Sequence, residues 1–370
     1  MEPICPQWRP APRSQTPSSA SCAAPRRIGH RTRRKNQNEG GTSMKTVVAT
    51  KAAVALAAFM VAAIPSAHAQ ALEKLSIVVF GPPSLGAFLP PVIKAQKYDE
   101  KHGLDLTFAE RTPDAYTAQF NSGEYKVGGS AALLTVGLAD LRGVKVTYLF
   151  NLFDFWGGVV TSRPDVKTLK DLEGKDLAAA KGTTNFVMFD WLARRQGVDT
   201  SKISVVNTAT PGLVGYALAD RASAVQLWEP AYTTLLSKKP SIQTLDLKII
   251  DSWKAFAQST SIPYLGVAAH VDWVAQNQAM VPKLYAAYKD AAAWVQANPD
   301  AAAKVIAPRG TPEDQAALAQ LIRSNDRLGL NVVWASDVKK EINAVYEAGR
   351  SIAFLPGAPS PATIFEGGKR

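Results

Sequence analysis

Two consecutive strand–helix–strand patterns, held between Leu169 and Pro230, restrict what this chain can fold into more than any other feature. Leu177 to Ala180 reads as a short apolar strand that turns at Lys181-Gly-Thr-Thr184 into a helix. Phe186, Phe189 and Leu192/Ala193 share one side of that helix. Arg194 and Arg195 fall in its last turn, where cations face the negative end of the dipole, and Gly197 closes it. Ile203 to Val206 is the second strand, Leu213 to Ala219 a short helix, and Ala224 to Trp228 the third strand. Successive crossovers of this kind demand parallel strands with right-handed connections, so an α/β layered structure is predicted. The loops at the carboxyl ends, Gly182–Thr184, Asn207–Pro211 and Trp228-Glu229-Pro230, then meet on one edge. Open α/β sheets take ligands on such an edge.

The turn Gly182-Thr183-Thr184-Asn185 carries the sharpest chemistry. A glycine lets a ligand approach the backbone, and the first N–H groups of the following helix have no partner within it. Two hydroxyls and an amide add neutral donors, which suits an anionic group held without phosphate-loop machinery. Either threonine can equally cap its own helix. Both readings stand at the level of sequence.

The region before Leu169 repeats the plan. Leu75 to Phe80 is a strand with Gly81-Pro-Pro83-Ser84 as its loop, followed by one helix from about Ala87 to Lys101 and a strand from Leu104 to Ala109. Asp114 is the expected cap of a helix from Ala115 to Asn121. Lys126 to Gly129 is a third strand, Ser130 leads the helix that starts at Ala131, and Val144 to Leu149 is the fourth strand. Tyr98-Asp-Glu-Lys-His-Gly-Leu-Asp105 parallels Trp191-Leu-Ala-Arg-Arg-Gln-Gly-Val-Asp199 as a helix end feeding a strand. Two similar lobes with facing loop edges make a cleft, and clefts between domains are favoured ligand sites. Pro83, Ser84, Ser130 and Ala131 are the expected first-lobe lining. Pro211 and Trp228 join the Gly182–Asn185 turn on the second lobe. Phe150 to Ser162 is the expected first crossing, with Trp156 either stacking on a ligand or packing the hinge and Gly157-Gly158 absorbing rotation. Ile262 to Ala269 is the return strand. Helices follow near 274–296, 312–328 and 335–353, and then a loose tail through Pro361 and Arg370.

Charge is unevenly spread. The net charge is +11, but residues 1–69 hold 10 of the 42 basic and 2 of the 31 acidic residues, which leaves the body at +3. A basic nucleic-acid surface is therefore not implied. Residues 1–43 are rich in Pro, Ser and Arg and cannot bury enough apolar surface to fold alone. Met44-Lys-Thr, the apolar run Ala52–Ile64 and Ala67-His-Ala69 compose a secretory signal, with the mature chain expected from Gln70. The run is too short for a membrane anchor. Both cysteines, Cys5 and Cys22, precede it, so neither disulfides nor thiol chemistry are expected in the body. The expected segments are 1–43 upstream extension, 44–69 signal, 72–157 first lobe, 158–267 second lobe, and 268–370 C-terminal helices returning to the first lobe.

The stretches Leu169-Lys-Asp-Leu-Glu-Gly-Lys175, Lys181-Gly-Thr183, Gly197-Val-Asp199 and Trp228-Glu-Pro230 resemble the solute-binding proteins of ABC importers. The nearest group is that of nitrate, sulfonate and taurine, which also includes binders of thiamine-pyrimidine precursors. The likeness runs from about Leu75 to Asn298. Arg221-Ala-Ser-Ala224 replaces the usual Gly-x-Val-Asp-Ala step, and Lys126 stands where the first lobe usually has an acid. The resemblance implies a two-lobed type II periplasmic-binding fold and a monomeric, periplasmic receptor for a small organic anion or zwitterion, and Tyr116, Phe155, Trp156 and Trp228 near the expected cleft leave room for an aromatic ligand. It also implies an ABC permease and its ATPase as partners and no cofactor, and the lack of catalytic motifs in the body argues for binding without turnover. Within it, Arg111 is the candidate partner for an anionic head, or else a solvated loop residue. Glu229 takes a ligand amine or bonds its own lobe's backbone. The alternative reading is an enzyme or sensor on the same scaffold, such as one in thiamine-pyrimidine metabolism. Only His102 and His270 remain in the body, far apart and without a metal-ligand or nucleophile motif, and His102 is expected at a helix cap.

Overall fold

Eleven strands form two sheets in the computed structural model, which describes residues 71–367. The expected extension and signal segment, 1–43 and 44–69, lie outside the described residues. In chain order the strands are β1 (Glu73–Phe80), β2 (Leu104–Arg111), β3 (Val127–Ala132), β4 (Val146–Asp154), β5 (Gly158–Thr161) and β6 (Asp176–Ala179). They continue with β7 (Ser204–Asn207), β8 (Ala224–Leu227), β9 (Gln243–Leu245), β10 (Pro263–His270) and β11 (Leu330–Trp334). One sheet has the order β11-β4-β10-β3-β1-β2, the other β7-β6-β8-β5-β9.

The two predicted crossovers are both present. β6 pairs in parallel with β7 on one side and with β8 on the other. In the first sheet β1 runs parallel to β2 and β3, while β10 runs antiparallel to both β3 and β4. Ile77, Val78 and Val79 of β1 are all fully buried, as expected for a strand covered on both faces. The chain leaves the first sheet after Asp154, builds the second as far as Leu245, and returns through β10.

The C-terminal helices pack mainly on the first sheet's side. Met280–Ala297 buries Val281, Leu284, Tyr288, Ala291 and Val295, a stripe at helical spacing, against the helices Leu89–Ala95 and Tyr98–Lys101. The helix Pro312–Ser324 also reaches the helix Ala231–Lys238 of the second sheet.

Several local expectations are corrected. The single helix from Ala87 to Lys101 is two, broken at Lys97, whose φ of 56° is left-handed. No glycine or proline marks that break, so periodicity alone runs through it. Thr112, not Asp114, caps the next helix, accepting from the Ala115 N–H. The tail is tied down rather than loose as far as Phe365. The Ser360 N–H donates to the Asp140 carboxylate at 2.7 Å, and the Phe365 N–H donates to the Tyr148 carbonyl at 3.1 Å.

Candidate ligand-binding site

Loops from both sheets enclose a cavity of about 580 Å³. Pro82, Pro83 and Ser84, following β1, form one wall, and Pro230, Thr233, Thr234 and Ser237, following β8, form another. The segment from Val305 to Gly310 and the start of the helix Pro312–Ser324 close the third side. Ser84 is positioned by its own turn, its hydroxyl accepting from the Gly86 N–H at 3.1 Å. Behind it Ser130 is fully buried in β3 and accepts from the Phe80 N–H at 2.8 Å. A Cβ at Gly86 would overlap that hydroxyl, so the turn lies directly on β3. Ser130 and its neighbour Ala131 therefore support the loop that lines the cavity; neither lines it.

The second-lobe turn is largely occupied with itself. Thr183 caps its helix, accepting from the Phe186 N–H at 3.2 Å and donating to the Ala180 carbonyl at 2.8 Å. Gly182 is exposed with open space around it. Thr184 and Asn185 are buried. The Asn185 amide donates to the Tyr264 hydroxyl on β10 at 2.7 Å, which ties the two sheets together. Burial pushes that phenol up to about 12. The Thr184 hydroxyl and the Asn185 and Gln226 amide oxygens have no hydrogen-bond partner among the described residues. Gln226 donates to the Asn185 carbonyl at 2.7 Å, so these unpaired oxygens sit around one helix start. Buried polar atoms without partners are costly, which makes this helix start a place where an added donor would be welcome. Pro211 is exposed in the first turn of the helix Thr210–Leu218.

Arg111 does not face the cavity. Its guanidinium donates to Gln119 at 2.7 Å, to the Glu110 carbonyl at 2.8 Å and to the Tyr125 hydroxyl at 3.2 Å. Glu229 is 1 % exposed and takes the second of its two expected roles. Its carboxylate accepts from the Thr233 N–H and hydroxyl at 3.1 and 3.0 Å and pairs with Arg327 at 2.8 Å. Arg327 also lies over the rings of Trp156 and Tyr232, at 5.9 and 5.5 Å. Trp156 lines a separate cavity of about 380 Å³ at the crossing between sheets, and Trp228 is buried in the second sheet's apolar cluster.

Asp154, at the end of β4, ties the crossings together. It accepts from Asn151 at 3.0 Å, from Ser261 at 2.9 Å and from Asn331 at 3.1 Å. Burial raises its carboxyl to about 6, against the pull of those three donors. His102 is the C-cap of the helix Tyr98–Lys101, as expected, and its ring bonds Asp290 at 2.8 Å, while His270 bonds the Phe120 carbonyl at 2.7 Å. Among the described residues no cluster of three or more metal-ligating side chains occurs, and no helix is long and apolar enough to cross a membrane.

Residues 92–302 match the family model described as NMT1/THI5 like, more than half of the chain. The chain belongs to the NMT1/THI5-like family. No curated protein sequence matches it. Solved structures do. The periplasmic aliphatic sulphonate binding protein SsuA of Escherichia coli is 16% identical with a TM-score of 0.62, over 78% of this chain and 95% of that one. The alkanesulfonate-binding SsuA of Xanthomonas axonopodis pv. citri, bound to MOPS, is 15% identical with a TM-score of 0.65, over 80% and 98%. A Candida albicans protein with the generic periplasmic binding protein fold is 14% identical with a TM-score of 0.56, over 79% and 93%. At such identities the likeness is one of fold, the two-lobed type II periplasmic-binding fold.

In this NMT1/THI5-like chain, sequence reasoning missed the cavity's third side. Val305 to Gly310 carries no motif, and only the packing of the C-terminal helices brings it to the two loop edges. Gln226 was hidden for another reason. In a strand, alternate residues face opposite sides, and a lone glutamine between Val225 and Leu227 gives no sign of lying under a helix start.

Proposed function

We propose that the protein is an extracytoplasmic receptor that captures a small organic anion or zwitterion by lobe closure and delivers it to an ABC permease and its ATPase. The cavity walled by loops of both sheets carries this reading, because a ligand there touches both lobes at once. A binding role accords with the NMT1/THI5-like family and with the SsuA-like fold. The periplasm is the matching compartment, reached through the signal expected at Met44–Ala69. Pro230, Thr233, Thr234 and Ser237 are the second-lobe contacts of that cavity, and the Gly182–Asn185 edge, which is not part of its lining, is a further candidate contact through the unpaired polar atoms at Thr184 and Asn185.

The test is a thermal-shift screen of the purified protein against organic anions, zwitterions and aromatic amines, followed by small-angle scattering. A ligand that binds only the folded state stabilises it by about 2.7 kcal/mol at 100 times its dissociation constant. The radius of gyration should fall at saturation. If no small molecule in the screen shifts the melting temperature, the receptor reading is wrong. A tight ligand that leaves the scattering unchanged removes closure from it.

A further inference from the structure

The cavity between the loop edges has a charge pattern that the binding reading alone does not specify. Much of its lining is apolar, with Phe88, Pro91, Val305, Ile306 and Leu318. Three charged residues reach it: Glu110, Arg309 and Asp314. Asp314 is already committed, its carboxylate accepting from the Thr311 N–H at 3.2 Å in a capping box. Arg309 is not. It stands in a turn closed by the Gly310 N–H on the Ala307 carbonyl at 3.0 Å, and the Gln315 side chain donates to the same carbonyl at 2.9 Å. The stem is thus presented from a well-bonded turn, yet the guanidinium has no hydrogen bond or ion pair among the described residues. Arg327, which lines the smaller cavity, is spent on Glu229.

We propose that Arg309 is the anchor for the ligand's anionic head, and that the ligand is a monoanionic organic acid with an apolar body. This rests on the receptor reading above and deepens it. A guanidinium presents a planar fork of donors that fits the oxygens of such a head in pairs. The apolar wall gains from covering hydrocarbon, whereas a compact inorganic oxyanion would leave most of the cavity unfilled. Glu110 fixes the charge count. Its carboxylate lies against the backbone at Gly81, where an added Cβ would be 3.8 Å from one oxygen, and it has no partner among the described residues. A second negative charge on the ligand would meet that carboxylate.

Calorimetry with hexanoate and hexane-1-sulfonate, one body with two heads, tests the assignment, with adipate as the dianion and hexylammonium as the cation. The wild type should bind at least one monoanion and hold adipate and hexylammonium at least tenfold more weakly. Arg309→Gln should weaken the monoanion at least tenfold, and Arg309→Lys less. The melting temperature without ligand should stay unchanged in both, because the guanidinium holds nothing in the protein. Glu110→Gln should improve adipate binding several-fold. Unchanged monoanion affinity in Arg309→Gln makes Arg309 a solvated surface residue and overturns the assignment, while the receptor reading stands. Failure of the wild type to bind either monoanion, when the broader screen does find a ligand, overturns the ligand class alone. Failure of every compound in that screen overturns the receptor reading itself.

Discussion

The turn at Gly182–Asn185 and the turn at Ala307–Gly310 each open a capped helix, and they dispose of their polar groups in opposite ways. In the first, Thr183 closes on its own backbone and Asn185 reaches across to Tyr264. In the second, Thr311 and Asp314 satisfy each other, and the arginine beside them is left facing a cavity. A conspicuous turn in the sequence is thus mostly committed to structure, and an inconspicuous one supplies the free charge. Committed groups should cost stability when removed, and uncommitted groups should cost affinity.

Glu229 gives the largest contrast. Glu229→Ala strands Arg327 and removes the acceptor for the Thr233 N–H, so urea denaturation should show a loss of about 3 kcal/mol. Intact stability with lost binding would move Glu229 to the ligand's side of the comparison.

Asp154 tests commitment at the crossings through pH. Its carboxyl titrates near 6 when folded and near 3.8 when unfolded, so the folded state holds the proton more tightly. Stability from this group is complete below the lower value and is lost as pH rises through the upper one. Going from pH 5 to pH 7.5 should remove about 1 kcal/mol. Below pH 4 the trend is opposed by carboxylates held low, such as Asp171 by the Lys167 and Thr168 N–H groups. The slope between pH 5 and 7.5 should flatten in Asp154→Asn, and an unaltered slope would assign it to another group.

Thr183 and Thr184 sharpen the first turn. Thr183→Ala should cost about 1 kcal/mol of stability as a lost cap, with ligand affinity unchanged. Thr184→Val removes a hydroxyl that has no described partner, so stability should hold or rise while affinity falls about tenfold. If both changes act only on stability, the turn is purely structural. The smallest effect belongs to Arg111→Ala, whose partners are partly exposed. Both stability and affinity should stay within about 0.5 kcal/mol.

The parallel core of the second sheet was readable because Leu177–Ala180, Ile203–Val206 and Ala224–Trp228 alternate with helical spacing, and that pattern has few physical solutions. The helix break at Lys97 was not, since a lysine takes the left-handed backbone there and no glycine marks it. The candidate site was legible on the sides that loops of the α/β layers supply, where Pro83 and Ser84 do line the cavity. Arg111 and Arg309 show the limit. Both are arginines beside a loop, and only the neighbours that tertiary folding gave them, Gln119 and Tyr125 for one and no described acceptor for the other, tell them apart.

The place of β10 fixes an order of events during synthesis. That strand lies between β3 and β4, so the six-stranded sheet has an open slot until residue 270 has left the ribosome. The five-stranded sheet needs nothing beyond Leu245. The lobe encoded second is therefore the first that can finish. The lobe encoded first must wait with β3 and β4 apart, and its late, long-range pairing is the slow kind. During that interval its unpaired strand edges are what a chaperone would have to cover.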